Sequence, residues 1–308
     1  MKIVIAGGTG FIGTELIKSL LEAKHSVVLL TRRPSGIPDG LRGHQSSTLS
    51  IEVWDGETNG KWQDSIDGAD AVINLAGEPI AGKRWTTQQK TRLINSRLNA
   101  TKIIAEAVGH AKKKPGVLIN ASAVGYYGGV ETGEVTEAAS SGNDFLAGLC
   151  RQWESEARKV EAYGVRLVLL RTGIALEKHG GALEKMLLPF KLFAGGPMGN
   201  GRQWMPWIHL EDEIRIVLFA LEEQSLSGPV NVSAPTPVTM KEFATTLGRT
   251  IDRPSWAPVP GFVLKIALGE MAGILLTGQK AVPEKLLQHG FTFRYPTLDL
   301  ALSEIFNK

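Results

Sequence analysis

The sequence predicts an α/β fold, a doubly wound parallel sheet followed by a smaller, mainly helical C-terminal lobe. Short apolar runs alternate with helical patterns through the first part of the chain, which signals βαβ units. Three glycines, Gly7, Gly10 and Gly13, punctuate the first strand-to-helix turn. Near residue 235 the character shifts to proline-opened sequence, SAPTPVTMKEF and then RPSWAPVPG. These features divide the 308 residues into a larger unit over 1–234 and a small lobe over 235–308.

The elements follow in order. Strands are expected near 2–6, 26–31, 51–55, 70–76, 116–121 and 165–171, each a short apolar run of the kind buried on both faces. Helices fit 11–23, 86–110 and 143–162. The stretch AGGPMGNGRQWMPWIHLED has little periodicity, and loops of that length are uncommon in compact domains unless functional. Residues 176–208 are therefore expected to contribute to a substrate-side lobe. A helix near 211–223 and a strand near 229–233 return to the sheet. GFVLKIALGEMAGILL reads as one helix over 262–276, apolar on more than one face. Such a helix is buried or forms an interface, and a homodimer is one reading of it.

Composition narrows the function. A hydrophobic content of 43% and a charged content of 21% are ordinary for a soluble globular chain. The net charge of +3 is small and the basic residues are scattered, so no nucleic-acid footprint is expected. The first apolar strand is too short to cross a bilayer and no signal-peptide pattern precedes it. A single cysteine, Cys150, excludes an internal disulfide and a cysteine-based zinc cluster. No metal site, no membrane partner and a cytoplasmic location are the resulting expectations.

The glycine loop carries the clearest chemistry. Residues 3–13, IVIAGGTGFIG, run from an apolar strand into an amphipathic helix. Gly7 permits the tight turn, Gly10 lets a pyrophosphate approach the backbone, and Gly13 lets the helix pack closely on the sheet. Thr9, Phe11 and Ile12 complete the turn, whose helix N-terminus offers N–H groups to phosphates. The second strand ends in Thr31 and Arg32, with no acid before Asp39. An acid there would accept hydrogen bonds from ribose hydroxyls, whereas a guanidinium suits a 2′-phosphate. NADP is the expected cofactor; the alternative is that Arg32 and Arg33 only solvate the strand end. Leu75, Ala76, Gly77 and Glu78 follow the fourth strand, where backbone must pass under the nicotinamide ribose. Arg97 reaches a cofactor phosphate or lies on the helix surface, and the sequence leaves both open.

GGTGFIG, NLAG, NASAVGYYG and WIHLED together resemble the extended short-chain dehydrogenase/reductase (SDR) superfamily. SRLNAT, DFLAGLCRQWE, GNGRQWMPWIHLED and GQKAVPEKLLQHGFTF resemble its atypical "epimerase family" branch, which carries a C-terminal domain of unknown function. That resemblance implies a Rossmann-type domain, NADP as cofactor and a small-molecule substrate that it does not identify.

An active SDR pairs a tyrosine with a lysine four residues on, so that the ammonium lowers the phenol pKa. Here Tyr126, Tyr127, Tyr163 and Tyr295 are followed at that spacing by Val130, Glu131, Leu167 and Asp299. Anchoring on Glu154 places Leu146 at the tyrosine position and Cys150 at the lysine position. Ser122 keeps the usual hydroxyl, and Tyr126 and Tyr127 are the candidate proton-transfer groups, with pocket packing as their alternative role. His209, Glu78 and the Gly199–Trp207 stretch are weaker candidates, and Asp212 is expected to cap the helix after it. With the pair missing, a non-catalytic NADP(H) sensor or scaffold stands beside an oxidoreductase or epimerase.

Overall fold

The computed structural model describes residues 1–42 and 48–307. Strands β1 (Lys2–Ala6), β2 (Ser26–Thr31), β3 (Leu49–Val53), β4 (Ala71–Asn74), β5 (Val117–Ala123), β6 (Arg166–Thr172) and β7 (Gly228–Val232) form one sheet. Its order is β7-β6-β5-β4-β1-β2-β3 and every pairing is parallel. The helices of eight or more residues are α1 (Phe11–Glu22), α2 (Thr87–His110), α3 (Phe145–Arg158), α4 (Gly181–Lys191), α5 (Leu210–Glu222), α6 (Met240–Thr250), α7 (Gly261–Leu268) and α8 (Leu298–Asn307).

Alternation along each strand explains why the runs are apolar throughout. Ile3 and Ile5 of β1, Val27 and Leu29 of β2 and Ile73 of β4 enter one core layer, against Leu16, Ile17 and Leu20 of α1 and Ile216 and Val217 of α5. Val4, Val28, Leu30 and Val72 enter the opposite layer, against Ala100, Ile103, Ile104 and Val108 of α2 and Ala157 of α3. A strand covered on both faces has no solvent side, so its pattern loses the usual period of two.

A third core builds the lobe. Leu183, Leu187 and Phe190 of α4 pack with Trp207, with Phe243 and Leu247 of α6 and with Leu298, Leu302 and Ile305 of α8. The stretch around 176–208 is less irregular than its sequence: it holds α4 and two short strand pairs, Ile174–Leu176 with Trp207–His209 and Trp204–Met205 with Val238–Thr239. Pro189 and six glycines from 180 to 201 mask that order in the sequence.

One expected element is corrected. The helix over 262–276 is not continuous; it is α7, a 3₁₀ turn at Gly269–Ala272 and a last short helix at Gly273–Leu276. Gly269 adopts φ +63°, a conformation that ends a right-handed helix. Nor is α7 buried, since Phe262 is 66% and Ile266 73% exposed. Among the described residues no helix is long and apolar enough to cross a membrane.

Candidate functional site

The strand order reverses beside β1, opening a crevice at the carboxyl ends of β1 and β4. Gly7 sits there at φ +79°, and a Cβ on it would lie 2.5 Å from the Leu75 carbonyl carbon. The glycine loop and the segment after β4 are thus in backbone contact. A Cβ on Gly13 would lie 2.5 Å from the Gly7 carbonyl oxygen and 2.6 Å from Gly8 Cα. Gly13 therefore lets α1 close on its own loop, rather than on the sheet. The close helix–strand packing belongs to Gly8, where a Cβ would meet Ile17 at 2.5 Å and Leu29 at 2.7 Å.

Gly10 differs from these. It is exposed, and an added Cβ would meet only the Gly7 carbonyl oxygen, at 3.3 Å. A side chain there would crowd only that one atom of the protein and would project into the space in front of the loop. No side chain caps α1 and its first turn carries no acid, which leaves the helix N-terminus suited to an anion. Thr9 is exposed beside Gly10, Ile12 packs toward the sheet core, and the Phe11 ring lies against Gly180 and Gly181.

The flanking segments are fixed by hydrogen bonds. The buried Thr31 hydroxyl accepts from the Arg33 N–H at 3.2 Å, which shapes the turn after β2. Arg32 is exposed, and no carboxylate among the described residues pairs with it. Buried Asn74 donates to Thr101 Oγ1 (2.9 Å) and Asn120 Oδ1 (2.7 Å) and accepts from the Ala76 N–H (3.1 Å). The Leu75 N–H donates to the Ala6 carbonyl at 2.9 Å. Arg97 donates to the carbonyls of Leu93 (3.1 Å) and Glu78 (3.0 Å), over the Trp153 ring. Burial lowers its pKa, so it is a half-buried tie under the Gly77–Glu78 turn and not a surface arginine.

The β5 candidates converge on one buried cation. Ser122 donates to Glu154 Oε1 at 2.7 Å. Arg171 donates to the same carboxylate through Nε (2.8 Å) and Nη2 (2.9 Å), and both partners are nearly inaccessible. Its Nη1 donates to the Tyr127 hydroxyl at 2.9 Å, which in turn donates to Asn231 Oδ1 at 2.6 Å. The Tyr126 ring lies under the Arg171 guanidinium, 3.5 Å from its centroid, and meets the Tyr127 ring edge-on.

This arrangement corrects the reading of Tyr127. The residue is 3% exposed, its hydroxyl is taken on both sides, and burial pushes its pKa up to about 12. It is a structural phenol, not a proton-transfer group. Tyr126 is only half-buried, and its hydroxyl has no hydrogen-bond partner among the described residues. On α3, Leu146 packs beside Gly125, and buried Cys150 lies 3.8 Å from the Ala123 carbonyl oxygen. Burial, reinforced by Glu154, pushes that thiol up to about 12.

The weaker candidates also find structural work. His209 is buried, accepts from the Glu211 N–H, bonds Glu304 at 3.1 Å and stacks on Tyr295. It, and not Asp212, is the N-cap of α5. Asp212 instead receives the backbone N–H groups of Arg294 (2.9 Å) and Tyr295 (2.8 Å), tying the C-terminal segment down. Trp207 is fully buried in the lobe core. Gln203 donates to Met198 and Leu275 carbonyls, and Arg202 remains exposed.

Two buried carboxylates are not among the expected site residues, although Glu154 serves as an anchor for the α3 comparison. The run VRLVLLRT carries two arginines, and only Arg171 meets a buried acid, Glu154, while Arg166 donates to backbone carbonyls, so the run alone does not single out Glu154. Glu213 is fully enclosed on α5, accepts from Thr172 Oγ1 at 3.1 Å, and leaves Oε2 unpaired. Burial pushes its pKa up to about 8. No sequence signal separates it from its neighbours Glu211 and Asp212. Among the described residues no three His, Cys, Asp or Glu side chains gather to hold a metal ion.

Two family models match separate parts of the chain. Residues 3–233 match the model of the NAD dependent epimerase/dehydratase family, and residues 259–305 match a domain of unknown function, DUF1731. Epimerase family protein YfhF of Bacillus subtilis is 41% identical over 306 residues, covering 99% of this chain and 98% of that protein. The crystal structure of human epimerase family protein SDR39U1 (isoform 2) with NADPH superposes with a TM-score of 0.88 at 34% identity, over the whole of both chains. A nucleoside-diphosphate sugar epimerase from Corynebacterium glutamicum gives a TM-score of 0.77 at 31% identity, with this chain spanning 59% of that one.

Proposed function

Since the chain belongs to the NAD dependent epimerase/dehydratase family of extended SDRs, we propose that it is an NADP(H)-dependent oxidoreductase or epimerase of a small, nucleotide-linked substrate. The observation that carries the cofactor choice is the end of β2, where exposed Arg32 stands without a carboxylate partner. The NADPH bound by the human relative supports the same choice. The residues fit a dinucleotide: the Gly7–Gly13 turn and the N-terminus of α1 take the pyrophosphate, and Thr31 and Arg32 take the 2′-phosphate. Leu75–Glu78, anchored by Asn74, Ser96 and Arg97, line the ribose side. When bound, the nicotinamide supplies hydride transfer.

Tyr126 is the group we assign to proton exchange with substrate. It stands at the carboxyl end of β5 and its hydroxyl is not consumed by a protein partner. Arg171 lies against its ring face and fixes the ring in place. Ser122 orients the site from beneath through Glu154. A cytoplasmic location suits a chain whose one cysteine is a buried free thiol.

Titration of NADPH and NADH against wild type and Arg32→Ala tests the cofactor assignment. Loss of a charge-assisted contact should weaken NADPH by about tenfold and leave NADH unchanged. Equal affinities in wild type refute it. A second reading, a non-catalytic NADP(H) sensor, is favoured by one observation: Ser122, Tyr127 and His209 are all committed to internal partners. NADPH left unoxidised across a panel of carbonyl and nucleotide-sugar compounds, with occupancy-dependent partner capture, decides for the sensor.

A further inference from the structure

A cavity of about 270 Å³ lies in the lobe, where four elements meet. Its cations come from three separate places: Lys178 on the turn before α4, Lys191 at the end of α4, and Arg253 just after α6. None of them forms an ion pair among the described residues. His179 adds an imidazole to the wall, and Glu184 is the one carboxylate in the lining. The remaining lining is apolar: Leu187, Ile251 and Phe306.

Three cations against one carboxylate give the hollow an excess of positive charge, which favours an anion there over a neutral molecule. The hollow is also several times the volume of a single water's share of the liquid, roughly 30 Å³, so it has room for more than an inorganic ion. Apolar side chains among the cations reward a ligand with a hydrophobic body. Lys178 already lies 6.0 Å over the Phe306 ring and Arg253 4.7 Å over Phe193, so flat cation and ring surfaces are paired at its edge.

From this juxtaposition we infer that the cavity is a binding site for a small organic anion, a carboxylate or phosphate carried on an aromatic or branched apolar body. Lys191 and Arg253 hold the charge, Lys178 and His179 close the turn side, and Leu187, Ile251 and Phe306 receive the apolar body. The site is separate from the dinucleotide loop, although the turn that carries Lys178 and His179 continues into Gly180 and Gly181, which meet Phe11. The inference does not depend on the cofactor or on catalysis.

Isothermal titration of the full chain, saturated with NADPH to block its phosphate-binding loop, tests the site. Phenyl phosphate and benzoate are the anionic probes, and the tighter of the two identifies the headgroup. At least one should saturate with a dissociation constant of about 0.1–1 mM, with inorganic phosphate and benzyl alcohol each about tenfold weaker. A Lys191→Ala/Arg253→Ala double variant should weaken the probe by about tenfold, and Glu184→Gln should tighten it by about twofold. These positions are exposed or half-exposed, so the variants fold. Absence of saturation by both probes below about 5 mM overturns the inference. So does an affinity unchanged in the double variant, or inorganic phosphate binding as tightly as the organic probes.

Discussion

Replacing Tyr127 by phenylalanine separates a structural phenol from a catalytic one. The ring stays, and with it the edge-on contact to Tyr126 and the burial against Val124, Val135 and Ala281. What disappears is one oxygen with two bonds, to Asn231 Oδ1 at 2.6 Å and from Arg171 Nη1 at 2.9 Å. Arg171 Nη1 keeps the Glu137 carbonyl at 3.3 Å, and its Nε and Nη2 keep Glu154. Asn231 Oδ1 loses its donor and is buried at 0% exposure. An orphaned buried acceptor costs about 1–3 kcal/mol, and weakening a charge-assisted bond adds to that, so about 2–3 kcal/mol is expected. For a chain of this size that shifts the melting temperature down by about 3–5 °C. Thermal unfolding at fixed NADPH concentration measures it, with NADPH affinity as the companion reading. A melting temperature within about 1 °C of wild type refutes the network argument. A stable variant that binds NADPH but loses a substrate turnover would return Tyr127 to the reaction.

Other outcomes follow from the same geometry. Gly10→Ala should leave the cofactor-free melting temperature near wild type yet weaken NADPH by about tenfold or more, because its Cβ meets only one protein atom. Gly13→Ala, whose Cβ would strike loop backbone at 2.5 Å, should destabilise the free protein as well, and equal behaviour of the two variants would contradict that contrast. Glu213 has its pKa raised from 4.5 to about 8, so the folded state binds the extra proton. Its contribution to stability is therefore present at low pH and lost as pH rises from about 4.5 through about 8. Glu213→Gln should remove that dependence, gaining on wild type in melting temperature toward pH 8; parallel pH profiles would exclude it. Cys150, buried and pushed up to about 12, should resist a thiol reagent in the native protein and react in denaturant, as measured by colorimetric titration.

Much of the fold was legible because parallel sheets write themselves plainly. IVIA, VVLL and LVLL are continuous apolar runs only because both faces are covered. The lobe was less legible. Pro189 and the glycines around α4 suppress helical periodicity, and the apolar stretch 262–276 hides a break that depends on Gly269 taking a positive φ. Within the site, Gly7, Gly10 and Gly13 are recognisable from spacing. The distinct task of Gly8 is not, since it follows from where Ile17 and Leu29 happen to meet.

By itself the sequence determined the dinucleotide loop, the basic end of β2 and the absence of a Tyr-x-x-x-Lys pair, because each is a matter of residue type at short, fixed spacing. Only the tertiary structure decided which hydroxyl is available. Ser122, Tyr126 and Tyr127 lie within six residues of one another, yet the hydroxyl of one is held by Glu154, that of another by Asn231 and Arg171, and that of Tyr126 by no hydrogen-bond partner among the described residues. Their partners come from α3, β6 and β7, far away in the chain, and the burial that shifts a phenol or a carboxyl is the sum of everything packed around it. Local pattern carries the first kind of information; desolvation and long-range pairing carry the second.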